Sequence, residues 1–226
     1  IMKPYYEDKW VTIYHGDCRE ILPELPETDL TLLDPPINKW LDVPIFTFSR
    51  CFAFTNPQNR HDTEVTLGRP RNEIVWHFTD GRWVSKKLPR ITHEYIYVYG
   101  KMGDAMVGDY NKNKKPIKKG AVAIGRDSYS KRIYTPKERK QLNSVMITPK
   151  IMGKDLGIWG KPEKLITALL EWAGFDIVLD PFLGSGTTAY CAKKLNRRCI
   201  GIEIEEEYCE IAAKRCSQSV MVLDIG

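Results

Sequence analysis

The sequence lacks the residue patterns that usually hold a metal ion or a dense set of disulfide bonds. Its six cysteines contain no C-x-x-C pair, and its four histidines show neither an H-E-x-x-H motif nor an i, i+4 spacing. Such spacings are the ordinary signatures of zinc sites. We therefore expect no metal and no disulfide framework. Scattered, reduced cysteines are typical of a cytoplasmic protein.

Long apolar segments are also absent. The longest mostly apolar runs, such as Ile166–Leu170, fall far short of the roughly 20 residues that a membrane-spanning helix needs. Residues 1–20 carry charges throughout and lack the apolar core of a secretory signal. We expect neither a membrane span nor export. With 226 residues, 42% of them hydrophobic, and no internal repeat, the chain can bury the core of one large domain.

Positive charge is concentrated in one part of the chain. Residues 111–150 carry a net charge of +10, so the remainder carries −5 within the overall charge of +5. A basic segment on an otherwise acidic body is typical of a protein that binds a polyanion. A solvated loop would have the same composition, and charge alone does not separate the two interpretations.

The order of apolar segments predicts alternating strands and helices. The first 35 residues read as strand, helix and strand, and DLTLLD is a nearly continuous apolar run, as in strands buried on both faces of a parallel sheet. Near the C-terminus, FDIVLD, a glycine turn, TTAYCAKKLN, CIGIEI and EEYCEIAAKRC form a βαβ unit followed by a helix. These patterns predict an α/β fold.

The middle of the chain is less regular. NEIVWHF and HEYIYVYGK predict a long hairpin, and GKPEKLITALLEWAG predicts a helix that starts near Pro162 and stops at Gly174. In residues 39–72, RCFAFTN predicts a strand and its flanks read as loop. Residues 101–150 lose the apolar periodicity, so we interpret them as an inserted segment outside the core.

A glycine-rich turn links the first strand of the βαβ unit to its helix. Glycines in GSGTTA permit a sharp turn and the close approach of a ligand to the backbone. Glu203 ends the next strand, where a carboxylate can accept hydrogen bonds from ribose hydroxyls. The pattern also matches G-x-G-x-x-A, so a dinucleotide remains an alternative, although only about forty residues follow the turn. A Walker A loop is excluded, because no Gly-Lys-Ser/Thr follows.

Two loops that begin with Asp-Pro make the chain similar to a known family. LLDPPIN resembles the [Asp/Asn/Ser]-Pro-Pro-aromatic motif, and DPFLGSGTT the Asp-Pro-Phe-x-Gly-Ser-Gly-Thr-Thr motif, of S-adenosylmethionine-dependent DNA amino-methyltransferases. Because the Asp-Pro-Pro motif comes first, the order resembles the permuted β-class of N6-adenine and N4-cytosine enzymes. The likeness extends through YHGDC, HEYIYVYGK, KPEKL and GIEIEEEYCEIAAKR, and it is weak in residues 37–72 and in the basic segment.

The resemblance implies a Rossmann-like class I methyltransferase fold. It would have a mostly parallel seven-stranded sheet with helices on both faces and a circularly permuted motif order. We expect residues 1–226 to form a single methyltransferase domain, with an inserted DNA-recognition region at about 101–150. The basic residues expected at DNA are Lys114, Lys115, Lys118, Lys119, Arg126, Lys131 and Arg132.

The resemblance also implies roles for individual residues. Asp34 and the carbonyl of Pro35 would accept the two hydrogens of an exocyclic amine, and Pro35 and Pro36 would stiffen the catalytic loop. Glu203 would bind the ribose, Asp17 and Cys18 would lie near the adenine of the cofactor, and Lys161 would flank its methionine end. The remaining expected cofactor-binding residues are Asp180, Phe182, Gly184, Ser185, Gly186 and Thr187.

Ile37 departs from the family pattern, in which an aromatic residue follows Asp-Pro-Pro. That ring stacks on a base swung out of the duplex, which is worth roughly 1–3 kcal/mol per base. Three interpretations remain open: an inactive or slow protein, Trp40 as the substitute ring, or a loop missing from the sequence between Pro36 and Ile37. We favour the missing loop, because the stretch that follows is also short for the family. An unbroken Pro-Ile codon pair in the gene would exclude it.

The expected function is methyl transfer from S-adenosylmethionine to the N6 amino group of adenine in double-stranded DNA. Asp34, in place of a serine, favours adenine over cytosine N4. Other functions remain open: an N4-cytosine enzyme, a catalytically silent DNA-binding relative, a dinucleotide oxidoreductase, or a methyltransferase acting on RNA or protein amines. A cognate restriction nuclease is a further expected partner, and the protein would be cytoplasmic in a prokaryote or encoded by a phage.

Overall fold

The computed structural model describes residues 3–36, 39–43, 48–82, 91–103, 106–107, 140–141, 144–148, 151–152 and 159–218. In these ranges the strands are β1 (Tyr6–Glu7), β2 (Val11–His15), β3 (Leu30–Leu33), β4 (Cys51–Thr55), β5 (Asn72–Arg82), β6 (Ile91–Tyr99), β7 (Met106–Val107), β8 (Lys140–Gln141), β9 (Val145–Ile147), β10 (Ile151–Met152), β11 (Trp159–Gly160), β12 (Ile177–Asp180) and β13 (Arg198–Glu203). The α-helices are α1 (Cys18–Ile21), α2 (Arg60–Leu67), α3 (Glu163–Ala173), α4 (Thr187–Lys194) and α5 (Glu206–Ser217).

A nine-stranded sheet forms the centre of the molecule, in the order β1-β2-β13-β12-β3-β4-β6-β5-β9. The run from β2 to β4 is parallel throughout, β5 and β6 form the expected antiparallel hairpin, and β9 is parallel to β5. The α/β class with a mostly parallel sheet is confirmed. The predicted number of seven strands is wrong, because two short edge strands, β1 and β9, extend the sheet.

The two ends of the chain interleave in this sheet. β12 and β13, from the C-terminal βαβ unit, lie between β2 and β3, from the N-terminal part, and all four strands are parallel. Parallel neighbours end at the same edge of a sheet. The loops that follow β2, β3, β12 and β13 are therefore close in space, although the motifs they carry are far apart in sequence.

Helices cover both faces of the sheet, as predicted. Alternation along β4 directs Phe52 and Phe54 toward α3, α4 and α5, and Cys51 and Ala53 toward the opposite face, near α2. α3 buries the stripe that its sequence predicts, and its side chains at Leu165, Ile166, Leu169 and Leu170 are at most 1% exposed. Each such side chain contributes roughly 1.5–3 kcal/mol by leaving water. All six cysteines are free and buried.

Helix α2 lies in a stretch that the sequence analysis interpreted as loop, and that interpretation is wrong. Only Thr63 of the helix is buried, so no apolar stripe marks it. Polar contacts hold it instead: the Thr63 hydroxyl donates to Thr55 Oγ1 at 2.8 Å, and the Tyr97 hydroxyl donates to Glu64 at 2.8 Å. Gly68, with φ +78°, ends the helix.

The boundary of the predicted insert is also wrong at its C-terminal end. Residues 144–148 belong to the core sheet, because β9 pairs with β5 and Met146 is fully buried. Thr148 accepts a hydrogen bond from Trp76 Nε1 at 2.7 Å. Most of the remaining residues from 104 to 150 lie outside the described ranges.

One carboxylate holds the opposite edge of the sheet together. Asp29 precedes β3, and its side chain accepts hydrogen bonds from the backbone N–H groups of Asp176 at 3.0 Å and Ile177 at 3.2 Å. Arg50 donates to the same carboxylate at 3.0 Å and to the carbonyl of Ala173 at 2.6 Å. These bonds fix the starts of β3, β4 and β12 relative to one another, and thereby fix where their other ends meet.

Candidate active site

Acidic residues gather where the central parallel strands end. Asp34 follows β3, Asp180 and Glu203 end β12 and β13, and Asp17 follows β2 after one glycine. A cavity of about 670 Å³ lies at this edge. It is lined by Gly16, Asp17, Cys18, Arg19, Asp34, Pro36, Lys39, Asp42, Pro181, Phe182, Gly184, Ser185, Glu203, Ile204, Glu205 and Tyr208. Residues of both Asp-Pro loops therefore share one cavity.

The first Asp-Pro loop contributes a half-buried carboxylate. Asp34 lines the cavity with a side chain that is 32% exposed, and Pro36 lines it beside Asp34. Pro35 is buried beneath them and is not part of the cavity wall. A proline pair restricts the backbone on both sides of Pro35, because proline fixes φ and also limits the residue before it. The loop therefore holds Asp34 with little conformational freedom.

The glycine turn is held by the acid that the sequence places on the next strand. Glu203 Oε2 accepts a hydrogen bond from the N–H of Gly184 at 2.7 Å, and Oε1 accepts one from the N–H of Glu205 at 2.9 Å. Gly184 has φ +52°, and a Cβ added there would meet no atom within 4 Å. The space above Gly184 is open to a ligand, and Glu203 both shapes the turn and lines the cavity.

The second glycine of the turn packs closely against a neighbouring helix. Gly186 has φ +77°, and a Cβ added there would lie 2.7 Å from Ala212 Cβ on α5. Thr187 is buried, and its hydroxyl accepts a hydrogen bond from Arg215 at 3.0 Å. Neither residue lines the cavity. They set the packing of α4 against α5, and the close approach that requires a glycine at position 186 is that of α5. Their contact with a cofactor stays a prediction.

Asp17 and Cys18 form the part of the wall that follows β2. Asp17 caps α1 by accepting from the N–H of Arg19 at 2.9 Å, and its side chain also pairs with the Arg19 guanidinium. The hydrogen bonds from Arg19 lower the pKa of Asp17 to about 2. Cys18 packs against Ile21 and Ile202, and burial raises the pKa of its thiol. Cys18 therefore lines the cavity as a neutral group.

Asp180 is buried and directly precedes Pro181 and Phe182, which line the cavity. It is 2% exposed, and its Oδ1 accepts a hydrogen bond from the N–H of Phe182 at 3.1 Å. Burial raises the pKa of Asp180 to about 7, although hydrogen bonds from Thr188 and Phe182 oppose the shift. Phe182 lines the cavity with a partly exposed ring, whereas Asp180 is not in the wall.

Lys161 contacts the catalytic candidate and is not part of the cavity wall. Its Nζ lies 2.5 Å from Asp34 Oδ2 and 3.8 Å from Glu94 Oε2. Burial lowers the pKa of Lys161, but the carboxylates of Asp34 and Glu94 outweigh this effect and hold it above its usual range. Glu94 was not anticipated from the sequence. The available signal was a lone acid in the otherwise aromatic and aliphatic strand HEYIYVYGK.

Several predicted residues do not contribute to the described cavity. Trp40, considered as a substitute for the missing aromatic ring, is 1% exposed and packs against the far-face core, so it would have to leave that core to stack on a base. Ile37 lies outside the described residues. So do all seven basic residues predicted to contact DNA, namely Lys114, Lys115, Lys118, Lys119, Arg126, Lys131 and Arg132.

No group of three or more His, Cys, Asp or Glu side chains among the described residues is arranged to hold a metal ion. In the same part of the chain, no helix has the length and apolar character needed to cross a membrane.

The fold and the cavity together define a Rossmann-like α/β protein with a cavity at the carboxyl edge of its sheet. A family model described as DNA methylase matches residues 63–214, and the chain belongs to this family of N6 and N4 amino-methyltransferases. The dinucleotide oxidoreductase alternative is therefore wrong. The matched range begins after Asp34, so the assignment does not rest on the Asp-Pro-Pro loop.

Relatives and solved structures agree with this family. The Type II methyltransferase M.ScaI of Streptomyces caespitosus is 24% identical over 261 residues, which cover 94% of this chain and 83% of that protein. The orphan methyltransferase M.BamHII of Bacillus amyloliquefaciens is 49% identical over 63 residues, covering 27% of this chain and only 24% of its own length.

Among solved structures, the cytosine-N4-specific PvuII DNA methyltransferase superposes with a TM-score of 0.64 at 16% identity, covering 95% of this chain and 89% of that one. The M1.HpyAVI–SAM complex superposes with a TM-score of 0.59 at 22% identity, covering 91% and 98%. At these identities the superpositions establish the fold.

Proposed function

We propose that this protein transfers a methyl group from S-adenosylmethionine to the N6 amino group of adenine in double-stranded DNA. The observation that carries the proposal is the shared cavity. Asp34, on a proline-stiffened loop, and the Gly184 turn with Glu203 line the same wall, although they come from opposite ends of the chain. A methyl acceptor and a methyl donor could therefore meet in one place.

The residues present suit S-adenosylmethionine. A volume of about 670 Å³ lies within the range of roughly 300–1,000 Å³ typical of small-molecule sites. Gly184 leaves the backbone open to a ligand, and Glu203 can accept a hydrogen bond from a ribose hydroxyl beside it. Phe182 offers a ring at the wall, and the acidic lining suits a cationic ligand. When bound, S-adenosylmethionine would supply an activated methyl group on its sulfonium.

The chain's own residues would then position the amine. The Asp34 carboxylate accepts one amino hydrogen and the Pro35 carbonyl accepts the other, which favours the pyramidal nitrogen that attacks the methyl group. Because the leaving group is already activated, positioning and electrostatic stabilisation supply most of the rate. Lys161, which does not line the cavity, holds Asp34 by direct contact.

Adenine N6 is the finer part of the proposal. It is supported by Asp34 at the first position of the Pro-Pro loop, where the family pattern also allows Asn or Ser. The solved relatives include a cytosine-N4-specific enzyme, so the product must be identified directly.

We propose further that the chain acts as one domain and that its basic segment binds DNA phosphates. In that case the DNA-binding constant falls as the salt concentration rises. Its logarithm drops by about 0.9 for each contacted phosphate when the salt concentration increases tenfold. A cognate restriction nuclease stays a prediction.

The test uses amplified DNA, which carries no methylated bases. The protein is incubated with this DNA and methyl-labelled S-adenosylmethionine, and the digested nucleosides are separated by mass. We expect N6-methyldeoxyadenosine. N4-methyldeoxycytidine would refute the adenine assignment, label only in RNA or protein acceptors would refute the DNA assignment, and DNA binding without transfer would identify a silent relative.

The variant Asp34→Asn tests the role of the carboxylate. It keeps the shape of the side chain but removes its charge, and we expect kcat to fall by at least about 10²-fold. Asp176→Asn is the matched control, because that side chain is 83% exposed and lies at the other edge of the sheet. Equal activity of the two variants would show that the negative charge of Asp34 is not needed for transfer.

A further inference from the structure

Lys161 is held between two carboxylates near the cavity. It precedes Pro162, the N-cap of α3, and its Nζ reaches Asp34 at 2.5 Å and Glu94 at 3.8 Å. The three side chains are 19%, 32% and 17% exposed, respectively. Charges so poorly hydrated interact more strongly than pairs on the surface, because less water screens them. Lys161 is thus fixed on both sides before any substrate binds.

Two aromatic rings also lie close to this ammonium. Its Nζ lies 4.8 Å from the ring centroid of Phe54 and 5.8 Å from that of Trp76, and both rings are at most 2% exposed. Trp76 donates to Thr148 at 2.7 Å, so strand β5 and residue 148 hold this ring in place. The ammonium therefore has little freedom to move away from Asp34.

The charged groups around the Lys161–Asp34 ion pair all lie at the carboxyl edge of the sheet. Asp34 follows β3, Glu94 lies on β6 opposite Trp76 of β5, and Asp180 ends β12 close enough to act on Lys161 electrostatically. Three acids therefore surround one cation. Removing Lys161 would take away the cation that lies against Asp34, and the neighbouring acids would then disfavour the ionised carboxylate.

We propose that Lys161 is a positioning residue for methyl transfer, which acts by fixing the ionised carboxylate of Asp34, and that Glu94 in turn fixes Lys161. This inference rests on the proposed function and replaces the expected role of Lys161 as a ligand of the cofactor. It predicts that loss of the ammonium lowers the rate of transfer while S-adenosylmethionine still binds, because Lys161 is not part of the cavity wall.

The variant Lys161→Met removes the charge and keeps a side chain of similar length. We expect kcat to fall by about 10²-fold, the cost of a catalytic group displaced by about 1 Å. The affinity for S-adenosylmethionine, measured by calorimetric titration, should stay that of the wild type. Lys164→Met is the matched control, because this lysine is exposed on α3 and should change neither quantity.

Two further variants, Glu94→Gln and Lys161→Cys, test whether a loss of kcat comes from the missing ion pair and not from a folding defect. Glu94→Gln should lower kcat by about tenfold, the scale of a weakened, partly buried ion pair. Lys161→Cys, treated with 2-bromoethylamine, regains an ammonium at nearly the same distance from the backbone and should recover most of the lost rate. The six native cysteines are buried, so a wild-type sample treated in the same way should keep its activity. Melting temperatures are measured for every protein.

The outcomes separate the inference from the function. A wild type that methylates DNA beside a Lys161→Met variant of equal kcat overturns the inference and leaves the function in place. Loss of S-adenosylmethionine affinity in parallel with kcat would make Lys161 a cofactor ligand and also overturn it. A failure of 2-bromoethylamine to restore activity in a folded Lys161→Cys protein would count against it as well. A wild type that methylates no DNA overturns both proposals.

Discussion

Replacing Asp180 with asparagine should stabilise the protein at neutral and alkaline pH. The side chain is 2% exposed, and burial raises its pKa from the ordinary 3.8 to about 7. Asparagine has nearly the same shape and still presents an oxygen to the N–H of Phe182. The substitution therefore removes the ionisation and keeps most of the packing.

The magnitude follows from the difference in proton affinity between the folded and unfolded chains. The unfolded chain loses this proton near pH 3.8, whereas the folded chain keeps it up to about pH 7. Between these values unfolding releases one proton, so the contribution of Asp180 to the free energy of unfolding falls by about 1.4 kcal/mol per pH unit. The stabilising contribution of Asp180 is complete below pH 3.8 and is lost as the pH rises through about 7. The total is about 4 kcal/mol, against roughly 5–15 kcal/mol for a whole protein.

Urea denaturation of the wild type and of Asp180→Asn at several pH values measures this quantity. The difference in free energy of unfolding should move in favour of asparagine by about 3 kcal/mol between about pH 5 and about pH 8. Asp17, whose pKa is lowered to about 2, has the opposite pH dependence, but both proteins contain it and it cancels in the difference. Asp176→Asn, with its exposed side chain, serves as the control.

A difference that does not change with pH would refute the reasoning. It would mean that the folded protein ionises Asp180 as readily as the unfolded chain does, and hence that burial does not control this carboxyl. A change of the opposite sign would mean that the hydrogen bonds to its ionised form outweigh burial.

Three further predictions concern the frame around the site. Gly186→Ala should cost about 2–4 kcal/mol in the free energy of unfolding, measured by urea denaturation, because the new Cβ would lie 2.7 Å from Ala212 Cβ at φ +77°. Gly184→Ala should lower the free energy of unfolding by only about 1 kcal/mol, because the new Cβ meets no other atom and the only cost is the positive φ of this residue. The same variant should weaken S-adenosylmethionine binding in calorimetric titration. Asp29→Ala should cost about 1–3 kcal/mol, because two backbone N–H groups and one Arg50 nitrogen lose their acceptor at a partly exposed site; a loss below about 0.5 kcal/mol would contradict this.

The central strands and the site edge were predictable because their signals are local. β3 and β12 are short apolar runs that end before or at an aspartate, and a parallel sheet brings such ends together. α3 carries its apolar stripe, a proline at its start and a glycine at its end. In each of these elements, the residues that give the sequence signal are also the residues that pack into the core.

The misses share a physical cause, which is that the deciding partner is remote in sequence. α2 is held by hydrogen bonds to Thr55 and Tyr97 and has no stripe to reveal it. Met146 is buried only because β9 pairs with β5, some seventy residues earlier. The close packing of α5 on Gly186 is likewise invisible until α5 is placed against it. The pairing of Lys161 with Asp34 depends on the same long-range arrangement.

The placement of β12 and β13 between β2 and β3 has a consequence for how the molecule is made. When Asp34 is added to the growing chain, β12, the strand that must flank it, is still about 140 residues from being translated. Until then, β2 and β3 have no shared neighbour, and their apolar edges are unpaired. Because pairing so distant in sequence is slow to form, the nascent chain should depend on chaperones more than a protein of this size with sequential pairing does. The side of the cavity that carries Asp34 is made first, yet it acquires its geometry last.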